Sequence, residues 1–431
     1  MQIHEYQKRG FYKKLPLTAS TSLQADLQAS VSEILADIAE NGDKAILKYT
    51  KQFDQTKLTT QDLRIPVEKL EKASTELPSS HRKAIKEAIK CIRDFHKKTR
   101  PQNWYDTNPH GATVGEQFFP IERVGLYIPG GHAPLVSTVL MTAIPAQVAG
   151  CKDIAVCTPP LPDGTVHPAL LAALKLSGIE EVYCVGGVQA IGALAYGTRT
   201  IPPVFKIGGP GNAYVTEAKR QLFGKVGIDL LPGPSEILVA SDDSARIKWI
   251  AAELIAQAEH GSGKERLFWV TNQKDQVPEV KSALASQLIQ LTHADTISHA
   301  IQKQFHVIVC EQDEEMIEVI NHIAPEHLQL MTKVQLRRKL LRQVTTAGAV
   351  MLGHHSPTAI GDFTAGPSHT LPTGGTGRFS SGLQVSDFMR RSSIIEYDEE
   401  SLQKALKTVQ AFGEMENMDA HSASASIRSS S

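Results

Sequence analysis

The chain has 431 residues, 41% of them apolar, and carries 45 Lys plus Arg against 46 Asp plus Glu. That length allows two substantial cores, so two main domains are expected. The balanced charge gives no electrostatic case for a nucleic-acid or membrane partner, and no stretch approaches the ~20 continuous apolar residues of a membrane span.

In chain order, residues 1–22 are polar and weakly patterned and read as an N-terminal arm. From Leu23 a helix is predicted, with Leu27, Val31, Ile34, Leu35 and Ile38 at helical spacing. Asn41-Gly42 stops it, and Asp43 opens a second helix carrying Ala45, Ile46 and Tyr49. A third starts at Ser79-Ser80 and runs through Ile85, Ile89 and Ile92 to Phe95. From Val124 the pattern changes to strands of four or five residues, each followed by a helix. These strands are Val124–Ile128, Ile154–Thr158, Val182–Val185 and Val204–Ile207. Such alternation indicates βαβ units and a parallel sheet. After Gly233-Pro234 a second series follows, with strands at 237–240, 267–271, 307–310, 328–331 and 349–352.

The fold class expected is therefore α/β, with two open, mainly parallel, Rossmann-like sheets and one domain inserted in the other. The arm spans 1–22, the main domain 23–129 and 235–378, the inserted domain 130–234, and a helical tail 379–431. In that tail Glu399–Met418 is amphipathic, with Leu402, Leu406, Val409 and Phe412 on one face that needs an outside partner, such as a second subunit. The Ser- and Ala-rich end, Ser422–Ser431, reads as frayed. The five cysteines (Cys91, Cys151, Cys157, Cys184 and Cys310) form no CxxC pair, and the N-terminus has no apolar signal-like run. Both features point to a reduced, cytoplasmic protein.

Three predicted strand–helix turns are glycine-rich: Gly130-Gly131, Gly186-Gly187 and Gly208-Gly209-Pro210-Gly211. Backbone N–H groups in such turns can approach a phosphate at the carboxyl ends of parallel strands. Tight turning alone explains the glycines about as well, since neither GxGxxG nor a P-loop occurs. Gln257 and His260 share one face near the end of a predicted helix. With an Asp and a second His they would give two oxygen and two nitrogen donors, a set that suits zinc. A single histidine in such a place is far more often simply hydrogen-bonded. Pro325-Glu326-His327 opens a strand, where adjacent side chains point to opposite sides and can serve two proton transfers, although spacing alone modestly favours an ordinary helix-end polar pair. Gly361–Thr373 is predicted as a stiff polar loop from which Asp362 and His369 project, a binding loop or a surface excursion about equally.

Taken together, these motifs resemble the histidinol dehydrogenase family. The resemblance runs from about Val31 to Arg428. It rests on Val124-Gly125-Leu126-Tyr127-Ile128-Pro129-Gly130-Gly131, Gly187-Val188-Gln189-Ala190-Ile191, Gly209-Pro210-Gly211-Asn212, Gly233-Pro234-Ser235-Glu236, Gln257-Ala258-Glu259-His260, Pro325-Glu326-His327, Gly361-Asp362-Phe363, Leu371-Pro372-Thr373 and Ala420-His421. Ser368, Thr358 and Pro232 depart from residues common in the family.

The resemblance implies a homodimeric enzyme, with one Zn2+ per subunit, that oxidises L-histidinol to L-histidine with two NAD+. By similarity Gln257, His260, Asp362 and His421 would hold the metal, and Glu326 and His327 would move protons. Ser235, His369 and Glu416 would contact substrate together with the metal ligands and His327. Tyr127, Gln189 and Asn212 would contact NAD. Shared active sites, with His421 supplied by the neighbouring subunit, are part of the same expectation. Two rivals remain: a relative oxidising another small alcohol, such as a sulfonated diol, and a zinc hydrolase with Glu326 as base.

Overall fold

The computed structural model describes residues 1–6, 22–130 and 134–429. Most of the expected arm, Gly131 of the first glycine turn, and the last two serines lie outside the described residues. The chain opens with β1 (Gln2–Glu5), α1 (Ser22–Asn41), α2 (Asp43–Phe53), α3 (Val67–Glu76) and α4 (Ser79–Thr99). Next come β2 (Trp104–Thr107), β3 (Thr113–Pro120), β4 (Arg123–Tyr127), α5 (Val136–Ala149), β5 (Asp153–Thr158) and α6 (Pro168–Leu176). They lead into β6 (Glu181–Cys184), α7 (Gly187–Tyr196), β7 (Lys206–Gly208), α8 (Ala213–Leu222) and β8 (Gly227–Ile228). The second series is β9 (Glu236–Ser241), α9 (Ile247–Ala258), β10 (Arg266–Thr271), α10 (Val277–Leu288), α11 (Ala294–Gln304), β11 (Phe305–Val309) and α12 (Asp313–Ile323). It ends with β12 (His327–Met331), α13 (Val334–Gln343), β13 (Ala349–Leu352) and α14 (Thr358–Phe363). The tail is β14 (Met389–Glu396), α15 (Glu399–Glu416) and α16 (Asp419–Ser426).

Two parallel sheets result, as the alternation of strands and helices predicts. One has the order β6-β5-β4-β7-β8, the other β1-β11-β10-β9-β12-β13. Each is covered on both faces, which is why its strands read as near-continuous apolar runs rather than alternating ones. Over the five-stranded sheet, α3, α4, α5 and α6 supply one core, including Leu70, Ile92, Ile144 and Leu174. Its opposite face is packed by α1, α2, α7 and α8 through Val31, Ile46, Ile191 and Val215. In the six-stranded sheet, α9, α10 and α11 cover one face and α12 and α13 the other.

Four expectations differ from this architecture. Residues 23–129 do not build the six-stranded sheet: α1 to α4 pack on the five-stranded one, and β4 is its central strand. The reason is contact rather than order, because a helix joins whichever sheet face lacks apolar cover. Among the described residues, the segment on the other side of the insertion that joins the six-stranded sheet is β1, an edge strand paired in parallel with β11 from Gln2↔His306 to Glu5↔Val309. Its side chains are largely exposed, so no apolar pattern marks it. An antiparallel sheet, β14-β3-β2, was not expected, since it joins strands nearly three hundred residues apart. Finally, the Ser/Ala-rich end forms α16, which folds back on α15: Ser422 Oγ donates to the Gln410 carbonyl at 3.4 Å, and Gln410 Nε2 donates to Ser426 Oγ at 3.0 Å.

Candidate active site

The cluster is assembled where β9 and β12 begin. Helix α12 ends at Ala324, whose left-handed backbone (φ 50°) turns the chain sharply into Pro325. A non-glycine residue there costs about 1–2 kcal/mol. The turn is held by Gly348 N donating to Pro325 O (2.9 Å) and Ala349 N to Glu326 O (2.8 Å). Glu326 and His327 are thereby delivered at the amino end of a central strand, 6% and 5% exposed. Ligand turns of parallel sheets lie at the carboxyl ends of strands, whereas this acid–imidazole pair lies at the amino end of β12.

Glu236, at the start of β9, organises both groups. Its backbone N–H donates to Glu326 Oε2 at 2.7 Å, and its carbonyl accepts from His327 Nδ1 at 3.1 Å. The carbonyl can only accept, so His327 carries its proton on Nδ1 and presents a bare Nε2. Glu236's own carboxylate is paired with Arg266 and accepts from Gly374 N at 3.0 Å. Burial drives the His327 imidazole down to about 3, and His260 and His369 push it the same way. Burial also lifts the Glu326 carboxyl well above its ordinary range. One group is held neutral with a bare Nε2; the other binds a proton more tightly than a free carboxylate.

Asp362 completes the inner group. It lies in α14 rather than in a loop, one turn after Thr358, which anchors that helix. Thr358 N and Oγ1 both donate to the buried Glu253 carboxylate, at 3.0 and 2.8 Å, so this departure from the family pattern is accommodated by a side chain of α9. Asp362 Oδ1 stands 3.9 Å from His327 Nε2 and 3.9 Å from His369 Nδ1. Burial raises the Asp362 carboxyl to about 6, against the pull of His260. His369 is depressed to about 4 by burial and then by His260, and its Nε2 lies 3.3 Å from Thr138 Oγ1 in the first turn of α5. Ser368, the neighbouring departure, donates to the Met141 carbonyl at 3.0 Å and so ties the same loop to α5. The two sheets therefore meet at this cluster. Ser235, half-buried, directly precedes Glu236.

Gln257 is buried on α9, and its Oε1 has no hydrogen-bond partner among the described residues. His260 Nδ1 lies 3.1 Å from the Gln257 carbonyl, which leaves its Nε2 lone pair free. An orphaned amide oxygen beside a free imidazole nitrogen and a carboxylate fits a cation. No three described His, Cys, Asp or Glu side chains converge as metal donors. His421, expected as a further ligand, sits exposed on α16 and shares a hollow with Phe412, Glu416 and Met418. Among the described residues, no hydrogen bond or ion pair joins His421 or Glu416 to the His327 cluster.

The remaining predicted residues gather at the carboxyl edge of the five-stranded sheet. The Tyr127 hydroxyl accepts from Gly187 N at 3.1 Å, at the start of α7. Gln189, 1% exposed, follows in the same turn. Asn212 caps α8, its Oδ1 accepting from Tyr214 N (3.0 Å) and Val215 N (3.1 Å), with its amide nitrogen left to donate outward. Sequence reading missed Glu236, Glu253 and Thr138. Glu236 stood within a recognised motif, but its role runs through backbone atoms, which no side-chain pattern reveals.

Two open parallel sheets meeting at a buried carboxyl–imidazole pair define a two-sheet α/β enzyme equipped for proton transfer. The sequence model for histidinol dehydrogenase matches residues 17–429. The chain is 42% identical to the histidinol dehydrogenase of Synechococcus sp. (94% of this chain, 92% of that one). Identity to that of Geobacillus kaustophilus is also 42%, covering 93% of each. The crystal structure of histidinol dehydrogenase from Elizabethkingia anophelis superposes with a TM-score of 0.93 at 36% identity, covering 99% of this chain and 98% of that one. The chain belongs to the histidinol dehydrogenase family and is an oxidoreductase acting on histidinol.

Proposed function

We propose that the enzyme carries out two successive NAD-dependent oxidations, taking L-histidinol through bound histidinal to L-histidine. The observation that carries this reading is the pairing of a neutral, anchored His327 with a proton-avid Glu326 in one buried site. His327 Nε2 accepts the hydroxyl proton of the alcohol, and its Nδ1–H bond to Glu236 keeps the ring turned toward substrate. Glu326, once ionised, takes a proton from the water as its oxygen adds to the aldehyde carbon and returns it to the former carbonyl oxygen, giving the hydrate that the second oxidation consumes. Burial raises its affinity for that proton, so it is a stronger base than an exposed carboxylate.

When bound, NAD+ accepts a hydride in each oxidation and zinc orients the substrate's nitrogens. Gln257, His260 and Asp362 would hold one zinc per subunit together with His421 of the partner subunit. The exposed His421 and Glu416, on a tail whose Phe412, Met415 and Met418 are uncovered, support a homodimer with shared sites. Ser235, His369 and Glu416 would contact substrate alongside those ligands, and Tyr127, Gln189 and Asn212 would contact the dinucleotide. The five free cysteines, and the lack of a membrane-crossing helix among the described residues, fit a cytoplasmic location.

The test is stoichiometric. Purified protein given L-histidinol and NAD+ is expected to release two NADH per histidine, with little free aldehyde. One NADH per substrate, with aldehyde accumulating, would refute the two-step reading.

A further inference from the structure

Asp54 has no place in the chemistry above, yet it sits among the residues proposed to hold the dinucleotide. It forms the C-cap of α2, with its backbone N–H bound to the Thr50 carbonyl at 2.9 Å. The next residue, Gln55, is held at φ 54°, a conformation that disfavours a side chain and turns the chain away directly after the carboxylate. Gln189 Nε2 approaches Asp54 Oδ2 at 3.5 Å, a long contact. No Lys or Arg pairs with Asp54 among the described residues. Burial lifts its carboxyl to about 6. The Oε1 of Gln189 is buried without a partner among the described residues. That amide folds back over Gly187, where a Cβ would come within 2.9 Å of Oε1. The start of α7 thus carries a buried, unsatisfied amide beside a half-buried, uncompensated carboxylate. Such groups are costly unless a ligand completes them.

The position selects which part of a ligand. The His327 cluster reaches the five-stranded sheet through Thr138 on α5, which packs on one face. Asp54 ends α2, which with α7 covers the opposite face. A dinucleotide whose hydride-accepting ring lies at His327 would therefore present its other end to Asp54. We propose that Asp54 accepts hydrogen bonds from the adenosine ribose hydroxyls of the dinucleotide and excludes a ribose bearing a 2′-phosphate. The assignment rests on the NAD reading given above. A carboxylate has acceptor sites for two hydroxyl donors, and it meets a phosphate with like-charge repulsion.

Calorimetric titration of the full chain with ADP-ribose, and with its 2′-phosphorylated form, reads this without turnover. The wild-type chain is expected to prefer ADP-ribose. Asp54→Asn is expected to weaken ADP-ribose roughly tenfold to hundredfold, the usual loss for a hydrogen bond to a charged group. It should also bring the two ligands close to equal affinity, whereas Asp54→Glu should restore the preference. A purely structural Asp54 would weaken both ligands alike. Wild-type discrimination persisting in Asp54→Asn would overturn the assignment and leave the NAD reading standing. Failure of the wild-type chain to bind ADP-ribose would sink the NAD reading and this assignment with it. If Asp54→Asn does not fold, Asp54→Ser replaces it, and the same two outcomes decide.

Discussion

Lys219 and Asp229 form an ion pair with side chains 1% and 0% exposed, and the pair clamps both backbone polar groups of one residue, Gly209. Lys219 Nζ donates to the Gly209 carbonyl at 2.9 Å, and Gly209 N donates to Asp229 Oδ2 at 2.7 Å. The clamp holds Gly209 at φ 112°, packed so closely on the Tyr127 carbonyl that a Cβ has no room. Replacing Lys219 with Met removes the cation but leaves the carboxylate buried. Breaking such a pair from one side costs about 3–5 kcal/mol. The orphaned Gly209 carbonyl adds about 1 kcal/mol. Asp229→Leu alone should cost a similar amount, since it strands the ammonium. The double variant Lys219→Met with Asp229→Leu should recover most of the loss, because no unpaired charge remains. Urea denaturation of the four proteins, followed by circular dichroism, gives the coupling energy from the double-mutant cycle. A loss below about 1 kcal/mol in either single variant, or coupling near zero, would show that the clamp contributes nothing to the turn.

Glu326→Gln should slow oxidation of supplied histidinal more than removal of the first hydride from histidinol, and His327→Asn should do the reverse. Each loss should fall within about 10²–10⁴-fold, and equal losses on both substrates would refute the division of roles. Asp362→Ala and His421→Ala homodimers should each lose zinc and activity, and mixing them with subunit exchange should restore one intact site per hybrid. No recovery, with exchange verified by labelled subunits, would place His421 in cis. His96 on α4 is 1% exposed, with neither ring nitrogen partnered among the described residues, and burial lowers it from 6.5 to about 4. As pH falls below 6.5 the unfolded chain takes up this proton and the folded one does not. Stability therefore declines until the pH nears 4, by about 2 kcal/mol at about pH 5. His96→Leu should remove that part of the acid-induced loss, measured as urea midpoints at about pH 7.5 and 5; an unchanged pH dependence would contradict it.

Sequence alone determined what local pattern and local chemistry determine. The apolar runs of Val124–Ile128 and Ile237–Ala240 and the helical spacing of Leu27 to Ile38 place the parallel strands and the first helix, because burial on both faces leaves little other choice. Pro325-Glu326-His327 and Gln257–His260 could be singled out from sequence because each pair is adjacent or one helical turn apart. Tertiary structure decided everything that depends on long-range contact. It assigned α1 to α4 to the five-stranded sheet, added β1 to the edge of the other, and paired β14 with β3. It also chose the tautomer of His327 through the Glu236 carbonyl, placed Asp362 in a helix tethered by Glu253, and left His421 outside its own chain's cluster. Those features follow from which surfaces lack cover and which buried atoms lack partners, quantities that exist only once the chain has packed.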